Sequence, residues 1–343
     1  MKTLKKELCA GFLCLLAALY ILMQFTALTT PKQHDYGSTW GHFLQEEEDS
    51  IDVLFIGSSL TYCNVVPALF WEESGMSGYV VAGPELTVPM EQYYLREALK
   101  TQSPKLVFFE ISGALFNRYT GYTKTVIGQM PWGINRLRAT FNEAEDDLVH
   151  GLLFPMHFYH SRWSELKEDD HTVYEEGYTD DPLAGYTYLG TYRPYDEDTI
   201  QTREIELDEA NLRRNIGILK EMANECLSRG ILPVFYESPA LSRMPKEQMD
   251  QIYAALRPYE DEGAVLLNCN EHFDEIGADY ATDFYDPLHY NAGGAEKFSR
   301  WLGHWSVETF GGLPVAHDPD LWQTRLDHFL TLRETPLTEV ESK

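Results

Sequence analysis

Short apolar runs alternate with longer amphipathic stretches along most of the chain, and this alternation limits the fold more than any other feature. The runs are rich in β-branched and aromatic residues and therefore predict buried strands. They are DVLFIG (52–57), GYVVAG (78–83), KLVFFEI (105–111), ILPVFYE (231–237) and AVLLNCN (264–270). The stretches with helical periodicity cover about 60–75, 88–102, 207–230 and 244–263, with a last helix near 293–310. Strands that alternate with helices predict a mostly parallel sheet covered on both faces, that is, a doubly wound α/β fold.

One long segment, residues 112–206, does not follow this alternation. It is rich in Tyr, Trp, His and charged residues, and it contains a predicted helix near 133–150. Because it follows the third predicted strand, we interpret it as an insertion on the side of the sheet where ligands bind. In open α/β sheets that side is the crevice at the carboxyl ends of the strands. The polar residues that directly follow each strand are therefore the first candidates for a functional site.

The N-terminus carries a second constraint, an uncharged apolar segment at residues 8–28 (LCAGFLCLLAALYILMQFTAL). Its 21 residues are about the length that crosses a hydrocarbon core of about 30 Å as a helix. Lys2, Lys5 and Lys6 precede it, so the positive-inside rule predicts a cytoplasmic N-terminus and an extracytoplasmic location for the rest. The sequence therefore predicts a single-pass protein of the cell membrane.

This segment has two alternative interpretations, a cleaved signal peptide and the leader of a lipoprotein. The apolar run is longer than the usual signal core of about 7–15 residues, and no clean small-residue cleavage site follows it. Cys9 lies before the apolar core and Cys14 inside it, where a lipidation cysteine is not expected. We therefore expect an uncleaved anchor.

Charge and cysteine content limit the partners and the covalent framework. The formal net charge of the 343 residues is −27, so nucleic acid is not expected as a partner. Only Cys63, Cys226 and Cys269 lie outside the N-terminal segment. One bridge between Cys226 and Cys269 would be compatible with the count, but buried free thiols are the expectation because an odd number cannot pair fully.

The first predicted strand ends at Gly57-Ser58-Ser59, directly before a predicted helix. Backbone N–H groups are free at such a turn, and the positive end of the helix dipole favours a developing negative charge. A serine here can act as a nucleophile if a base removes its proton and a carboxylate orients the base. The alternative is structural, since Ser is a favoured helix N-cap residue and a preceding Gly eases the turn.

A base and a carboxylate occur together near the C-terminus, in the stretch DFYDPLHYNAGGAEKFSRWL. Asp286 and His289 are three residues apart in a Pro-containing turn between the fifth predicted strand and the last predicted helix. This spacing can bring the carboxylate alongside Nδ1 of the imidazole and leave Nε2 free to face a serine. A D-x-x-H pattern is common by chance, but its place in the last loop favours a catalytic role.

The motif GSSL (57–60) after the first strand, together with DPLH (286–289) before the last helix, resembles the SGNH/GDSL hydrolase superfamily over most of residues 50–310. The resemblance implies a flavodoxin-like sheet and serine esterase or acyltransferase chemistry without a metal or other cofactor. The nucleophile position of the family maps onto Ser59, with Ser58 in place of the usual Asp. The catalytic residues that the resemblance implies are Ser59, His289 and Asp286.

The resemblance also implies an oxyanion hole, which family members complete with a Gly after the second strand and an Asn after the third. Gly83 in VVAGPE matches the first of these. The third strand ends FFEISGALFN where the family has a G-x-N-D motif, so Glu110 stands near the position and the Asn is missing. Asn117 is the candidate substitute, and the backbone N–H of Ser59 is the remaining donor. Loss of one such donor costs about 2.7–4 kcal/mol of transition-state stabilisation.

The N-terminal anchor, the G-S-S motif and the divergent third block are most similar to the cell-surface branch of the superfamily. That branch includes teichoic-acid D-alanylation proteins and alginate-type O-acetylation proteins, which work beside membrane-bound O-acyltransferases. The resemblance therefore implies such an acyltransferase as a partner. It implies as substrate an O-acyl group, above all O-acetyl, on a cell-surface carbohydrate or wall polymer.

Substrate contacts are expected from Glu110 and from FYHSRW (158–163) in the insertion, which combines His160, Arg162 and Trp163. In a functional interpretation Trp163 stacks on a sugar face and Arg162 binds an anion. The structural alternative is an amphipathic helix end with the Trp side chain in the core.

Two acidic groups and one thiol are expected to have no catalytic role. EAEDD (143–147) and KEDDH (167–171) lack the spacing of a calcium loop, so they predict a solvated surface, and no metal site is expected. Cys63 lies one helical turn after Ser59 without a basic neighbour. It is therefore expected to be a packed thiol rather than a second nucleophile.

The predicted organisation has four parts. They are a cytoplasmic tip and transmembrane anchor (1–30), a juxtamembrane linker (31–50), an SGNH-like α/β domain (51–312, insertion 112–206) and a C-terminal extension (313–343). The predicted function is a membrane-anchored extracytoplasmic serine esterase or O-acyltransferase that works through an acyl-enzyme. The main alternative is a catalytically silent protein of the same fold that binds a glycan or assists a membrane acyltransferase. A soluble flavodoxin-like protein of the cytoplasm is a third hypothesis, which the apolar segment opposes.

Overall fold

The computed structural model describes residues 2–32, 40–116, 121–311 and 318–340. Its strands are β1 (Val53–Gly57), β2 (Gly78–Ala82), β3 (Leu106–Glu110), β4 (Thr191–Tyr192), β5 (Gln201–Thr202), β6 (Leu232–Glu237), β7 (Ser242–Arg243), β8 (Val265–Asn268) and β9 (Thr338–Glu339). Its α-helices are α1 (Lys2–Thr29), α2 (Trp40–Phe43), α3 (Ser59–Tyr62), α4 (Pro67–Ser74), α5 (Val88–Ala98), α6 (Thr123–Gly128), α7 (Ile134–Glu143), α8 (Val149–Leu153), α9 (Met156–Tyr159), α10 (Glu168–Glu176), α11 (Glu209–Ser228), α12 (Lys246–Leu256), α13 (Phe273–Ile276), α14 (Ala292–Phe310) and α15 (Pro319–Arg333). Short 3-10 helices occur at Ile111–Leu115, Arg162–Ser164, Glu197–Thr199, Arg257–Glu262 and Cys269–Glu271.

Five of the strands form one parallel sheet in the order β2-β1-β3-β6-β8. They are the five strands that the sequence predicts, so the doubly wound α/β fold is confirmed. The strand order reverses between β1 and β3, and in such sheets the ligand crevice opens at this point, beyond the carboxyl ends. The residues that follow β1 and β3 therefore face each other across the crevice.

Apolar side chains fill both faces of this sheet. Leu54 and Ile56 of β1 belong to one core, whereas Val53 and Phe55 belong to the other. Helices α5, α11 and α12 cover the first core, and α4, α14 and α15 contribute to the second. Because successive side chains of a strand point to opposite faces, a strand covered on both faces needs an unbroken apolar run.

The single helix predicted over 60–75 is divided in the structure into α3 and α4. Pro67 is the first residue of α4, where its missing N–H has no helical partner to lose. The chain between the two helices is not helical, so α3 is a helix of one turn. Ser59 therefore lies at the start of a short, separately anchored helix.

The insertion between β3 and β6 lies only partly on the crevice side of the sheet. Its helix α7 packs against α5, and α9 and α10 pack against α1. The extended chain that follows runs along the free edge of β2, where the N–H of Val80 donates to the carbonyl of Ala184 at 2.9 Å. It then reaches the carboxyl ends, where the N–H of Arg203 donates to the carbonyl of Arg243 at 2.7 Å. The start of the insertion, at Ser112 and Gly113, and its end, at Arg203, thus lie on the crevice side of the sheet, whereas α7, α9 and α10 lie elsewhere.

Helix α1 contains a stretch, Lys5–Thr29, that is long and apolar enough to cross a membrane, judged by length and composition; a signal sequence passes the same test. The side chains from Lys5 to Met23 are exposed, and those from Gln24 to Thr30 are at least half-buried against the rest of the protein. Tyr174 donates to Oε1 of Gln24 at 2.6 Å, and Arg162 donates to the carbonyl of Thr29 at 3.0 Å. The C-terminal end of α1 is therefore bound to the insertion.

The three cysteines of the α/β domain are buried free thiols, as expected. Burial raises the pKa of Cys226 to about 12. Burial, with the nearby Asp286 carboxylate, also raises the pKa of Cys63 far above its usual range. Cys63 is therefore a protonated, packed thiol rather than a nucleophile.

Candidate active site

Two neighbouring serines have different positions at the end of β1. Ser58 is the N-cap residue of α3, and its Oγ accepts a hydrogen bond from the N–H of Leu60 at 3.3 Å. Ser59 is the first residue of the helix, and its side chain takes no part in the cap. The structural interpretation of the G-S-S motif therefore applies to Ser58, and the hydroxyl of Ser59 is left for another partner.

Gly57 allows the chain to turn sharply between β1 and α3. A Cβ atom at this position would lie 2.3 Å from Oγ1 of Thr61 and 2.6 Å from Cβ of Glu110. Neither distance is compatible with van der Waals packing, so the turn requires the absence of a side chain. The residue before the two serines is thus fixed by close packing rather than by backbone conformation.

Ser59, His289 and Asp286 form a continuous hydrogen-bonded series. Oγ of Ser59 lies 2.8 Å from Nε2 of His289, although the two residues are 230 positions apart. Nδ1 of the same ring lies 2.9 Å from both carboxylate oxygens of Asp286. The structure therefore brings together the three residues that the sequence motifs single out.

The carboxylate of Asp286 is held ionised by its hydrogen bonds. Burial alone would raise its pKa, but the His289 ring and the N–H groups of Leu288 and His289 outweigh burial and lower the pKa below its usual value. The two N–H groups donate to Oδ1 at 2.8 and 3.0 Å. An ionised Asp286 keeps the proton of a neutral His289 on Nδ1, so Nε2 accepts the hydrogen bond from Ser59.

Asn64, which the sequence did not single out, connects the end of α3, the helix that begins at Ser59, to the loop that carries His289. Its Oδ1 accepts from the N–H of Tyr290 at 2.9 Å, and its Nδ2 donates to Oγ of Ser238 at 2.9 Å. The side chain is fully buried. Because His289 directly precedes Tyr290, the Asn64 side chain helps to hold the His289 imidazole in position next to Ser59. An Asn in a predicted helix gives no local signal for such a role.

Glu110, at the end of β3, lies under the crevice with its two oxygens in different environments. Oε1 accepts from the N–H and the hydroxyl of Ser112, at 3.2 and 2.6 Å, and from the N–H of Ser238 at 3.5 Å. Within the described residues Oε2 has no hydrogen-bond partner. Burial raises the pKa of Glu110 from 4.5 to about 7, against the effect of these hydrogen bonds. The buried carboxyl therefore holds its proton more tightly than an exposed glutamic acid does.

Two further buried carboxyl groups surround Glu110. Glu91 of α5 is fully buried. Its pKa is raised well above the usual value, mainly by burial and secondarily by the negative charge of Glu110. Burial, and to a smaller extent the negative charge of Glu110, raises the pKa of Glu237 to about 8. The sequence carried a signal for Glu91, since it shares a helical face with Leu95 and Ala98, both fully buried.

The predicted oxyanion hole is only partly present. Among the described residues the N–H of Ser59 has no hydrogen-bond partner and is available as a donor. The N–H of Gly83 donates to the carbonyl of Gly57 at 3.2 Å. It thus continues the β1–β2 ladder, and the expectation that Gly83 offers a free donor is not met. Asn117 lies outside the residues that the structure describes.

A small cleft of about 120 Å³, which we call the Ser59 cleft, opens beside the three residues. Its lining includes Ser59, His289, Glu110, Glu85, Arg203 and Met244. Met244 also lines a larger polar groove of about 810 Å³, whose other walls include Glu237, Arg243 and Asn270. The small cleft and the polar groove are therefore neighbours.

Glu85 and Arg203 line the cleft opposite His289, and sequence reasoning found neither. Glu85 has φ of 50°, in the left-handed region that non-glycine residues seldom adopt. Burial raises its pKa, and the positive charge of Arg203 opposes this increase. Backbone strain of this kind is found preferentially at ligand sites. Arg203 gave no signal because it comes from the far end of the insertion.

The residues of FYHSRW lie away from the Ser59 cleft, at the end of α1. Arg162 pairs with Asp170 at 2.7 Å and donates to the carbonyl of Thr29. His160 is exposed, and Trp163 is 64% exposed. None of the three lines the cleft. The expected substrate subsite is therefore not formed here, and the alternative of a core tryptophan is wrong as well.

The two acidic groups are largely surface, with two exceptions that form ion pairs. Glu143 pairs with Arg214 at 2.6 Å, and Asp170 pairs with Arg162. In the part of the chain that the structure describes, no three His, Cys, Asp or Glu side chains are arranged to hold a metal ion.

Comparisons with known proteins give weak similarities. No family model matches the sequence, and no curated protein is similar to it. Among solved structures, the chain is similar to a proposed acylhydrolase from Bacteroides fragilis NCTC 9343, at 13% identity and a TM-score of 0.36 over 75% of this chain and 86% of that one. It is also similar to a single-site mutant of an acetyl-xylooligosaccharide esterase from Geobacillus stearmophilus, at 13% identity and a TM-score of 0.35 over 82% and 100%. Similarity at this level does not carry an activity over to this chain.

Proposed function

We propose that the protein is a membrane-anchored extracytoplasmic serine esterase or O-acyltransferase that removes or transfers a small O-acyl group. One observation carries this proposal: Oγ of Ser59 lies 2.8 Å from Nε2 of His289, whose Nδ1 is held by Asp286. A nucleophile, a base and an orienting carboxylate in hydrogen-bond contact are the parts that ester chemistry at serine needs.

In the first half of the reaction, Oγ of Ser59 attacks the carbonyl carbon of the ester, and its proton passes to Nε2 of His289. Asp286 stabilises the imidazolium that forms, and the N–H of Ser59 donates to the oxyanion. The tetrahedral intermediate then collapses. The alcohol leaves with the proton from Nε2, and the acyl group stays on Oγ as an ester.

In the second half, a water molecule or a sugar hydroxyl gives its proton to Nε2, and its oxygen attacks the acyl carbonyl. Oγ of Ser59 leaves and regains its proton from His289. Water yields a free acid and makes the protein a hydrolase. A sugar hydroxyl yields a new ester and makes it an acyltransferase.

The sizes of the two cavities favour a small acyl group on a large polar molecule. The Ser59 cleft, at about 120 Å³, is smaller than the roughly 300–1,000 Å³ of most ligand pockets, so it suits an acetyl group better than a long acyl chain. The polar groove of about 810 Å³ is in the range of ligand sites for much larger molecules. We infer an O-acetylated carbohydrate or wall polymer as the substrate.

The proposed location rests on α1. Its apolar stretch has the length of a membrane span, and the preceding lysines favour a cytoplasmic N-terminus. The α/β domain would then act outside the cell, where a membrane-bound O-acyltransferase is the partner that we propose. The net charge of −27 disfavours nucleic acid as a partner.

The oxyanion hole supports a second candidate function, a catalytically silent accessory or glycan-binding protein. Only the N–H of Ser59 is free among the expected donors that the structure describes, because the N–H of Gly83 is engaged. With too few donors, the triad would bind a ligand without turning it over at a useful rate.

Labelling with a fluorophosphonate probe separates the two candidates. We expect the purified full chain to be labelled on Ser59, with labelling lost in Ser59→Ala and retained in the matched control Ser58→Ala, which removes only the cap hydroxyl. We also expect faster hydrolysis of p-nitrophenyl acetate than of the octanoate. Absence of labelling in the wild-type protein would favour the silent candidate, and a preference for octanoate would contradict the small acyl pocket.

A further inference from the structure

The insertion carries five large apolar side chains that are mostly exposed. Each is more than half exposed, which is unusual for side chains of this size in a water-soluble surface. They are Trp132, Ile134, Phe141, Phe154 and Trp163, and together we call them the apolar patch.

Two members of the patch flank the helix that contacts the membrane-anchor candidate. Phe154 precedes α9 and Trp163 follows it, and α9 and α10 pack against α1. Arg162, next to Trp163, donates to the carbonyl of Thr29 at the end of α1. These side chains therefore lie beside the point where α1 joins the rest of the protein.

The remaining members are connected to this point through α7 and α8. The guanidinium of Arg136 in α7 lies 4.0 Å from the ring centroid of Trp132 and donates to the carbonyl of Leu152 in α8 at 3.3 Å. Helix α8 in turn packs against α9. The helices that carry the remaining members are therefore linked by packing to the end of α1.

The length of α1 sets the depth at which this side would lie. The apolar residues 8–28 span about 31 Å at about 1.5 Å per residue, close to the thickness of a hydrocarbon core. If they cross the bilayer, the end that the insertion grips, from Gln24 to Thr29, lies at the outer boundary between acyl chains and headgroups. Trp and Phe side chains are stable at this boundary.

We propose that the apolar patch inserts into the outer leaflet of the bilayer as a second membrane contact that does not span it. This inference rests on the proposed anchoring by α1 and adds to it a surface of the α/β domain. Insertion is driven by burial of apolar surface, as in interfacial helices. Because the protein is strongly acidic, the lipid chemistry that fits is neutral or zwitterionic rather than anionic.

The test measures the depth of single fluorescent probes on the full chain in nanodiscs of phosphatidylcholine. Cys9 and Cys14 are first replaced by Ser, and the three remaining cysteines are buried. An environment-sensitive fluorophore is then attached after one of four changes: Phe154→Cys, Trp163→Cys, Lys246→Cys or Leu16→Cys. The quenchers are a nitroxide on the lipid chain near the headgroup, a nitroxide deeper in the chain, and aqueous iodide.

The four probes give different expected results. Probes at 154 and 163 should lose fluorescence several-fold with the shallow nitroxide and be protected from iodide. The exposed control at Lys246, on α12, should show the reverse. The probe at Leu16, in the middle of the apolar segment, should be quenched by the deep nitroxide.

Two outcomes would overturn the inference, and they can be told apart. If the probe at 16 is quenched by the deep nitroxide but those at 154 and 163 are open to iodide, the anchor stands and the patch does not touch lipid. The patch would then be free to bind a membrane protein, which the lipid-only nanodisc lacks. If the probe at 16 is itself open to iodide, the anchoring fails and the inference fails with it.

Discussion

Replacement of Glu110 by Gln should raise the stability of the protein relative to wild type as the pH increases from 5 to 8. In the folded protein burial raises the pKa of Glu110 from 4.5 to about 7. This increase corresponds to roughly 3 kcal/mol, because one pH unit of difference in pKa is worth about 1.36 kcal/mol. The folded state thus binds the proton more tightly than the unfolded state does.

The sign follows from this linkage. The stability associated with Glu110 is complete below about pH 4.5, and it is lost as the pH rises through about 7. Most of this loss, roughly 2–3 kcal/mol, falls between pH 5 and pH 8. Gln has no proton to lose, and its amide oxygen can still accept from Ser112 and Ser238. Its amide NH₂ group takes the place of Oε2, which has no hydrogen-bond partner among the described residues. Leaving this buried donor unpaired costs about 1–3 kcal/mol of stability, and this cost does not change with pH.

The assay is urea unfolding of the full chain in mild detergent, followed by tryptophan fluorescence at several pH values. The matched control is Glu209→Gln, at an exposed position of α11. Between pH 5 and pH 8, we expect the free energy of unfolding of the wild-type protein to fall by roughly 2–3 kcal/mol relative to that of Glu110→Gln. Relative to the control variant, it should stay constant. A constant difference between wild type and Glu110→Gln would show that Glu110 is ionised throughout this range, and it would refute the assigned burial effect.

Three further predictions concern the active site. Gly57→Ala should lower the melting temperature, because its Cβ would lie 2.3 Å from Oγ1 of Thr61; overpacking of this kind costs about 1–3 kcal/mol, and an unchanged melting temperature would contradict the close approach. Asp286→Asn should reduce turnover of p-nitrophenyl acetate about 10⁴-fold with little change in melting temperature, because the His289 imidazole loses the carboxylate that sets its tautomer. A loss of turnover below about tenfold would argue against the proposed triad. Asn64→Ala should slow fluorophosphonate labelling, because the N–H of Tyr290 and Oγ of Ser238 lose their shared partner, and a labelling rate equal to that of wild type would show that the loop holds His289 without it.

The five strands of the sheet could be predicted because a strand buried on both faces leaves an unbroken apolar run. The hydrogen-bonded series of Ser59, His289 and Asp286 could be predicted because each motif stands next to a recognisable boundary, Ser59 after a strand and Asp286 with His289 before the last helix. In both cases a local pattern carries the information.

Contacts between distant segments could not be predicted in this way. Asn64 and Arg203 act on the site through partners far along the chain, and nothing near them in the sequence marks this. Arg162 was predicted to bind substrate, but it pairs with Asp170 and donates to the carbonyl of Thr29. Its bond to Thr29 depends on how the insertion packs against α1, which the sequence does not show. Gly83 matched a motif, but its N–H is engaged by the neighbouring strand.

If the protein is the membrane-anchored enzyme that we propose, the contacts of Arg162 and Tyr174 with the end of α1 limit where its active site can reach. A catalytic domain on a long flexible linker samples a wide volume, and its effective concentration at any one point is low. Here the domain follows the tilt and rotation of α1 as a unit. An acyl group carried on Ser59 would therefore be presented at one distance from the membrane, and selection among acceptors would depend on which polymer segments pass through that plane as well as on their chemistry.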